Sequence, residues 1–177
     1  YSDPYPHVIV NNFLPINLIN IIEDIFKNEK KYFRPYTHRE NRFSIDIRTI
    51  PRLMTYIDNI KEDIVNMCRN ELEERFNQLV TKDNFILIEH KICLDKVGYS
   101  IPKHCDTLKK AITIVVYINE LGSTTTLYDN EYKNEKEIDK KKNSALIFVP
   151  MNNSTWHEVK PTDHERHTLQ IMFTSNF

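Results

Sequence analysis

Glycine is almost absent from this sequence, which has only 2 glycines among 177 residues. Tight turns must therefore be made by Asn, Asp and Pro, whose side chains or rings favour turn conformations. Cysteine is also scarce: Cys68, Cys93 and Cys105 are odd in number and show no CxxC spacing. We therefore expect no disulfide framework and no structural zinc site, and a reducing compartment such as the cytoplasm.

The chain also lacks an excess of charge of either sign, with 24 basic and 25 acidic residues and a net charge of −1. This balance does not predict binding to nucleic acid or to a membrane surface. No apolar run approaches the ~20 residues that span a bilayer. With 40% hydrophobic residues the 177-residue chain fits one packed domain, so we predict a single domain over residues 1–177.

The N-terminal half of the sequence predicts two amphipathic helices. The first begins near Pro15 and has its apolar residues at spacings of three and four: Leu18, Ile21, Ile22, Ile25 and Phe26. The second extends from about Arg52 to Val80 with a similar apolar stripe. Between them the sequence is polar and basic, and predicts loops with one strand near Phe43–Ile47.

The C-terminal half predicts a series of short strands. The β-rich segments, each bounded by turn residues, are Asn84–Cys93, Ala111–Asn119, Thr124–Tyr128, Ser144–Val149, Thr155–Lys160 and Arg166–Thr174. The charged segment Asp129–Asn143 is predicted to be a solvated loop. Helices followed by many short strands predict an antiparallel sheet or a double-sheet barrel with helices on one side.

Three residues form a candidate metal site. His104 and Asp106 lie two positions apart in an extended segment, so both side chains can reach one cation, whereas Cys105 between them is predicted to face the core. His157, on another predicted strand, would complete a face of two histidines and one carboxylate. Such a face leaves open positions on iron. The same residues could hold zinc and activate a water molecule, so the ligand types leave both metals open.

Arg166 and Thr168 favour iron over zinc. Arg166 lies nine residues after His157, and Thr168 shares its strand face. A guanidinium fork beside a hydroxyl group is a good receptor for a carboxylate. A carboxylate receptor near an iron site predicts a keto-acid cosubstrate.

Several sequence blocks carry a family resemblance. His104-Cys-Asp106, followed by Lys110, Thr113 and Tyr117-Ile-Asn119, is similar to HxD followed by R-x-x-T-x-x-x-Y-L-N, with Lys in place of Arg. The block His157-Glu-Val-Lys-Pro161, with Arg166 downstream, and the opening Tyr5–Pro15 segment also match. On these blocks the sequence resembles the prolyl-4-hydroxylase branch of the Fe(II)/2-oxoglutarate oxygenases, including the hypoxia-inducible-factor prolyl hydroxylases.

The resemblance implies a mainly β fold, with N-terminal helices supporting a double-stranded β-helix, or jelly-roll, core. It implies that His104, Asp106 and His157 bind Fe(II), and that Arg166 binds the distal carboxylate of 2-oxoglutarate. The residues implied to assist Arg166 are Thr168, Tyr117 and Thr113. O2 is the implied oxidant, with ascorbate a candidate reductant.

The implied activity is hydroxylation of a prolyl residue in a peptide or protein, with release of succinate and CO2. Hydroxylation of a free amino acid or another small molecule is the alternative within the enzyme class. A jelly-roll that only binds a ligand is the alternative from a different class. That alternative would require a broken metal or carboxylate site, and every position that these two sites require is intact.

Overall fold

The structure, a computed structural model, describes residues 3–37, 39–71, 85–107, 109–151 and 153–175. Its helices are α1 (Ile16–Asn28) and α2 (Pro51–Glu71). Its strands are β1 (His7–Val10), β2 (Arg34–Pro35), β3 (Arg42–Asp46), β4 (Phe85–Asp95), β5 (Ile101–His104), β6 (Ile112–Tyr117), β7 (Thr125–Tyr128), β8 (Glu135–Glu137), β9 (Ser144–Phe148), β10 (Trp156–Val159) and β11 (Arg166–Ser175). Within these residues, no helix is both long and apolar enough to cross a membrane.

The strands form two antiparallel sheets. The larger has seven strands in the order β1-β9-β6-β11-β4-β3-β2, and the smaller has four in the order β5-β10-β7-β8. A cluster of buried side chains from both sheets joins them, including Tyr117 and Phe148 from the larger and Leu127 from the smaller. The predicted mainly β fold with a jelly-roll core is confirmed.

The two helices cover the outer face of the larger sheet. Leu18, Ile22 and Phe26 of α1 are buried in one cluster with Ile112 and Ile114 of β6. Burial of each such side chain contributes roughly 1.5–3 kcal/mol, which fixes the helices on this face. The predicted start of α1 is confirmed, and α2 follows its prediction as far as Glu71. The predicted continuation of the second helix to Val80 lies outside the described residues.

Strand β6 separates this helix-covered core from the interior of the jelly-roll. All six of its residues are buried, because both faces of the strand are covered. Ile112, Ile114 and Val116 belong to the helix-side core, whereas Val115 and Tyr117 pack toward the smaller sheet. The alternation of a strand thus assigns Thr113, Val115 and Tyr117 to the inner face.

One loop prediction was wrong. The segment Asp129–Asn143 contains β8, which pairs with β7 through Thr126 opposite Glu137. Its sequence, Glu-Lys-Glu, lies at the edge of the smaller sheet with two of three residues exposed. A polar edge strand has no apolar alternation, so the hydrophobic pattern could not reveal it.

Asparagine takes the place of glycine in the turns, as predicted. Among the residues that the structure describes, four of the five non-glycine residues with positive φ are asparagines: Asn12, Asn41, Asn143 and Asn153. Asn143 also exchanges two hydrogen bonds with Leu14, donating to its carbonyl at 2.8 Å and accepting from its N–H at 2.9 Å. This pair fixes the start of α1 beside the start of β9.

Candidate active site

The structure brings the three predicted metal ligands together on the smaller sheet. His104 ends β5 and lies directly opposite His157 of β10 in the antiparallel pairing. Asp106 follows β5 by two residues. One ligand atom from each of the three residues lies within 4.8 Å of the others. A single cation could therefore contact all three.

Both histidines present the same nitrogen to this centre. Nδ1 of His104 lies 2.9 Å from the carbonyl oxygen of Pro102, and Nδ1 of His157 lies 2.9 Å from that of Thr155. A carbonyl only accepts, so Nδ1 donates a proton to it and Nε2 is the nitrogen left for a metal. A backbone carbonyl on the second nitrogen is a usual way to orient a metal-binding histidine.

Burial keeps His157 neutral. It lowers the pKa of His157 to about 4, against the opposing effect of Asp106. Neutral imidazole is the form that binds a metal. At neutral pH this residue needs no proton release before it can act as a ligand.

Asp106 is buried and held through both carboxylate oxygens. Lys110 donates to Oδ1 at 2.6 Å, and the Thr113 hydroxyl donates to Oδ2 at 2.8 Å. Burial alone would raise the pKa of Asp106, but the Lys110 charge and these two hydrogen bonds bring it below its usual value. The carboxylate is therefore ionised and oriented toward the histidines.

Arg166 lies in the same pocket, on the first residue of β11. It is 1% exposed, and its Nη1 donates to Asp95 Oδ2 at 2.7 Å. Its Nε is buried and has no hydrogen-bond partner among the residues that the structure describes. The same is true of the Thr168 hydroxyl within the described part of the chain. Buried donors without partners are costly, so these two atoms indicate a place for a hydrogen-bonding ligand.

The predicted cosubstrate residues take different places around Arg166. Tyr117 is paired directly with Thr168 across the strands, and its ring lies 5.7 Å from the Arg166 guanidinium. The Tyr117 hydroxyl donates to the Thr125 hydroxyl at 2.9 Å. Thr113 is placed toward the metal ligands, because its hydroxyl donates to Asp106.

A cavity of about 230 Å³ joins the two groups of residues. The predicted site residues that line it are His104, Asp106, Thr113, His157 and Arg166. Cys105 also lines it and is only partly buried, so the prediction that Cys105 faces the core was wrong. Strand β5 ends at His104, and side-chain alternation no longer applies at the next residue.

Sequence reasoning missed several residues of the pocket. Arg42 and Gln170 line it, and Tyr36 and Arg39 reach it from the segment that joins β2 to β3. Arg42 also binds Asp95, which is fully buried. No local pattern marks these residues, because they approach the site through pairing between strands that are distant in the sequence.

A face of two histidines and one carboxylate, in a jelly-roll pocket with a buried arginine, defines the class of site used by non-haem iron oxygenases. The donor set fits Fe(II): two imidazole nitrogens and one ionised carboxylate. The Arg166 Nε and the Thr168 hydroxyl, which have no partner within the described part of the chain, fit the carboxylate of a keto acid. His104, Asp106 and His157 would hold the metal, and Arg166 would hold the keto acid.

Comparison with known proteins points to the same class. The sequence model of the 2OG-Fe(II) oxygenase superfamily matches residues 90–174. No curated protein sequence matches the chain. The resemblance to the Fe(II)/2-oxoglutarate oxygenases predicted from the sequence is confirmed over these residues.

Solved structures of prolyl hydroxylases share the fold. A Trichoplax adhaerens prolyl hydroxylase, in complex with a hypoxia inducible factor oxygen degradation domain peptide fragment, is 16% identical with a TM-score of 0.70, covering 96% of this chain and 84% of that one. A Pseudomonas putida prolyl-4-hydroxylase is 17% identical with a TM-score of 0.68, covering 97% of this chain and 94% of that one. The viral collagen prolyl hydroxylase of Paramecium Bursaria Chlorella virus-1, in its 2OG complex, is 14% identical with a TM-score of 0.64, covering 99% of both chains.

Proposed function

We propose that this protein is an Fe(II)- and 2-oxoglutarate-dependent dioxygenase that hydroxylates its substrate. His104, Asp106 and His157 are the proposed iron ligands, and Arg166 is the proposed partner of the distal 2-oxoglutarate carboxylate. Thr168 and Tyr117 complete the carboxylate site. Thr113 was predicted to join them, but its hydrogen bond to Asp106 favours a role in orienting that ligand.

One observation carries the proposal: a metal-ligand triad and a buried arginine with an unused donor line a single cavity. Zinc hydrolysis would need the triad and a water molecule but would leave Arg166 without a role. A keto acid held at the metal ligands His104, Asp106 and His157 would also use the Arg166 guanidinium, through its distal carboxylate. The metal-ligand triad and Arg166 would then each bind one part of the same cosubstrate.

The bound iron would supply the oxidation, using O2 and releasing succinate and CO2 from 2-oxoglutarate. The protein's own residues orient the reactants. His104 and His157 are each hydrogen-bonded to a backbone carbonyl, and Asp106 accepts hydrogen bonds from two side chains. These contacts fix the geometry of the three ligands. Ascorbate is the reductant that we propose for maintaining the ferrous state.

We propose a prolyl residue in a peptide or protein as the substrate. The similar structures are those of prolyl hydroxylases, and one of them holds a peptide fragment. The segment between β2 and β3 contributes Tyr36 and Arg39 to the pocket lining, which supports a role for this segment in substrate contact. A free amino acid is the competing substrate class.

The test of this proposal is succinate formation by the Fe(II)-loaded protein with a panel of proline-containing peptides, free proline and other free amino acids. We expect peptides to stimulate succinate formation and to gain one oxygen atom on proline, read by mass spectrometry. If only free amino acids stimulate succinate formation, the proposal of a peptide substrate is wrong, whereas the proposal of an oxygenase stands. A wild-type protein that neither binds nor consumes 2-oxoglutarate would overturn the proposed function.

A further inference from the structure

Three charged residues form a row on the inner face of the larger sheet, at the carboxylate end of the pocket. Arg42 of β3 is paired across the strands with Asp95 of β4, and Asp95 is paired with Arg166 of β11. All three are almost fully buried, with exposures of 4%, 0% and 1%. Two guanidinium groups thus share one carboxylate away from water.

The two arginines use Asp95 differently. Arg42 makes a two-point contact, with Nε at 2.6 Å from Oδ1 and Nη2 at 2.8 Å from Oδ2. Arg166 makes a single contact at 2.7 Å, from Nη1 to Oδ2. The bidentate partner of Asp95 is therefore Arg42, and Arg166 keeps its Nε unpaired in the described structure.

Further contacts hold Arg42 in place. Its guanidinium lies 4.4 Å from the centre of the Tyr99 ring, and its Nη1 lies 3.4 Å from the Gln170 amide oxygen. Most of its hydrogen-bonding capacity is thus used inside the protein. Arg42 is poorly suited to bind a ligand itself, but well suited to neutralise Asp95.

We propose that Arg42 is a positioning residue for the 2-oxoglutarate site: by occupying Asp95, it leaves Arg166 available to the cosubstrate carboxylate. This inference rests on the proposed function, because it concerns the same site. The row carries a net charge of +1 with both arginines present. Without Arg42 the net charge is zero, and Asp95 can take Arg166 into a two-point pair. The incoming carboxylate would then meet a guanidinium already occupied by Asp95, in a row that has no net positive charge.

The test measures the dissociation constant of 2-oxoglutarate by calorimetry, on Fe(II)-loaded protein without oxygen, for the wild type and three variants. Arg42→Gln is expected to weaken binding by about tenfold or more, because a buried carboxylate is left to compete for Arg166. Asp95→Asn is expected to bind no more weakly than the wild type. The double variant, Arg42→Gln with Asp95→Asn, is expected to return to within about threefold of the wild type, since the competing charge is gone.

Rescue in the double variant separates this role from a merely structural one, which the second substitution would not repair. Glutarate, which has both carboxylates but no keto group, should show the same order of affinities. When 2-oxoglutarate is varied, Arg42→Gln should raise KM for 2-oxoglutarate and change kcat little.

Several outcomes would overturn the inference. One is an Arg42→Gln protein that binds 2-oxoglutarate like the wild type, and another is a folded double variant as weak as Arg42→Gln. If Arg42→Gln does not fold, the Asp95→Asn variant alone tests the inference. A loss of 2-oxoglutarate affinity of about tenfold or more in Asp95→Asn would then overturn the role of Arg42. Wild-type protein without any 2-oxoglutarate binding would instead overturn the proposed function, so the two failures are distinguishable.

Discussion

At the scale of single residues, the two histidines of the site are oriented by the same device. Each hydrogen-bonds through Nδ1 to the carbonyl two residues earlier in the chain. Each side chain is therefore held by its own strand and does not depend on a distant partner. His157 is the more deeply buried of the two, and its burial has a measurable consequence for stability.

In the metal-free protein, His157 should make stability depend on pH. Its folded pKa is about 4, below the ordinary value of 6.5, so between these values the unfolded state binds more protons. Stability should therefore fall as pH falls from 6.5 toward 4. At pH 5 the loss attributable to His157 is about 2 kcal/mol.

Urea unfolding with a chelator present, at pH 7 and pH 5, measures this loss. A His157→Gln variant should lose about 2 kcal/mol less than the wild type between the two pH values. His164→Gln, at an exposed histidine, is the control and should behave like the wild type. Equal losses in the wild type and His157→Gln would contradict the role of burial.

At the scale of elements, two turns fix the position of Arg166. Ser123 donates its N–H to the Thr162 hydroxyl at 3.0 Å and its own hydroxyl to the Pro161 carbonyl at 3.0 Å. Thr162 in turn donates to the His164 carbonyl at 2.6 Å. The turn before β7 is thus tied to the turn that leads into β11.

Gly122 is required for this contact. Its φ is +75°, and a Cβ there would lie 2.5 Å from the Thr162 hydroxyl, 2.9 Å from the His164 carbonyl oxygen and 3.0 Å from Arg166 Cβ. Gly98 also has a positive φ, +85°, but its nearest neighbour would be Asn41 Nδ2 at 3.5 Å. The two glycines form a matched pair that differs in available space.

Both Gly→Ala substitutions should be destabilising because of the left-handed backbone, by about 1–2 kcal/mol. Gly122→Ala should cost about 1–3 kcal/mol more, since the neighbouring turn must shift. It should also weaken 2-oxoglutarate binding, because Arg166 shifts with that turn, whereas Gly98→Ala should not. Urea unfolding and calorimetry check both effects, and equal results for the two variants would contradict the proposed packing.

At the scale of the whole molecule, the helices, strands and site residues that follow from local sequence patterns could be predicted. Helical spacing predicted α1, and short β-rich runs predicted most strands of the two sheets. The spacing of His104, Asp106, His157 and Arg166 predicted residues that the fold brings into one cavity. The short strand β8 was missed because its Glu-Lys-Glu sequence has no apolar residue.

Long-range pairing could not be predicted in this way. Arg42 meets Asp95 across 53 positions, and Asp95 meets Arg166 across 71. The register of three strands determines these contacts, and a one-residue shift would separate them. The basic segment that contains Arg42 was predicted to be mainly loop, so its inward-facing arginine was not recognised. A single domain over residues 1–177 and a cytoplasmic location stay predictions.

Succinate formation from 2-oxoglutarate, by protein loaded anaerobically with Fe(II) and then exposed to O2, tests the central claim most directly. The wild type should turn over, and Asp106→Ala should not. Arg166→Ala should lose at least about thirtyfold in kcat/KM for 2-oxoglutarate, because it removes a buried carboxylate partner. Arg48→Ala, at an exposed surface arginine, should retain full turnover. Turnover that survives in Arg166→Ala, or no turnover in the wild type, would contradict the account.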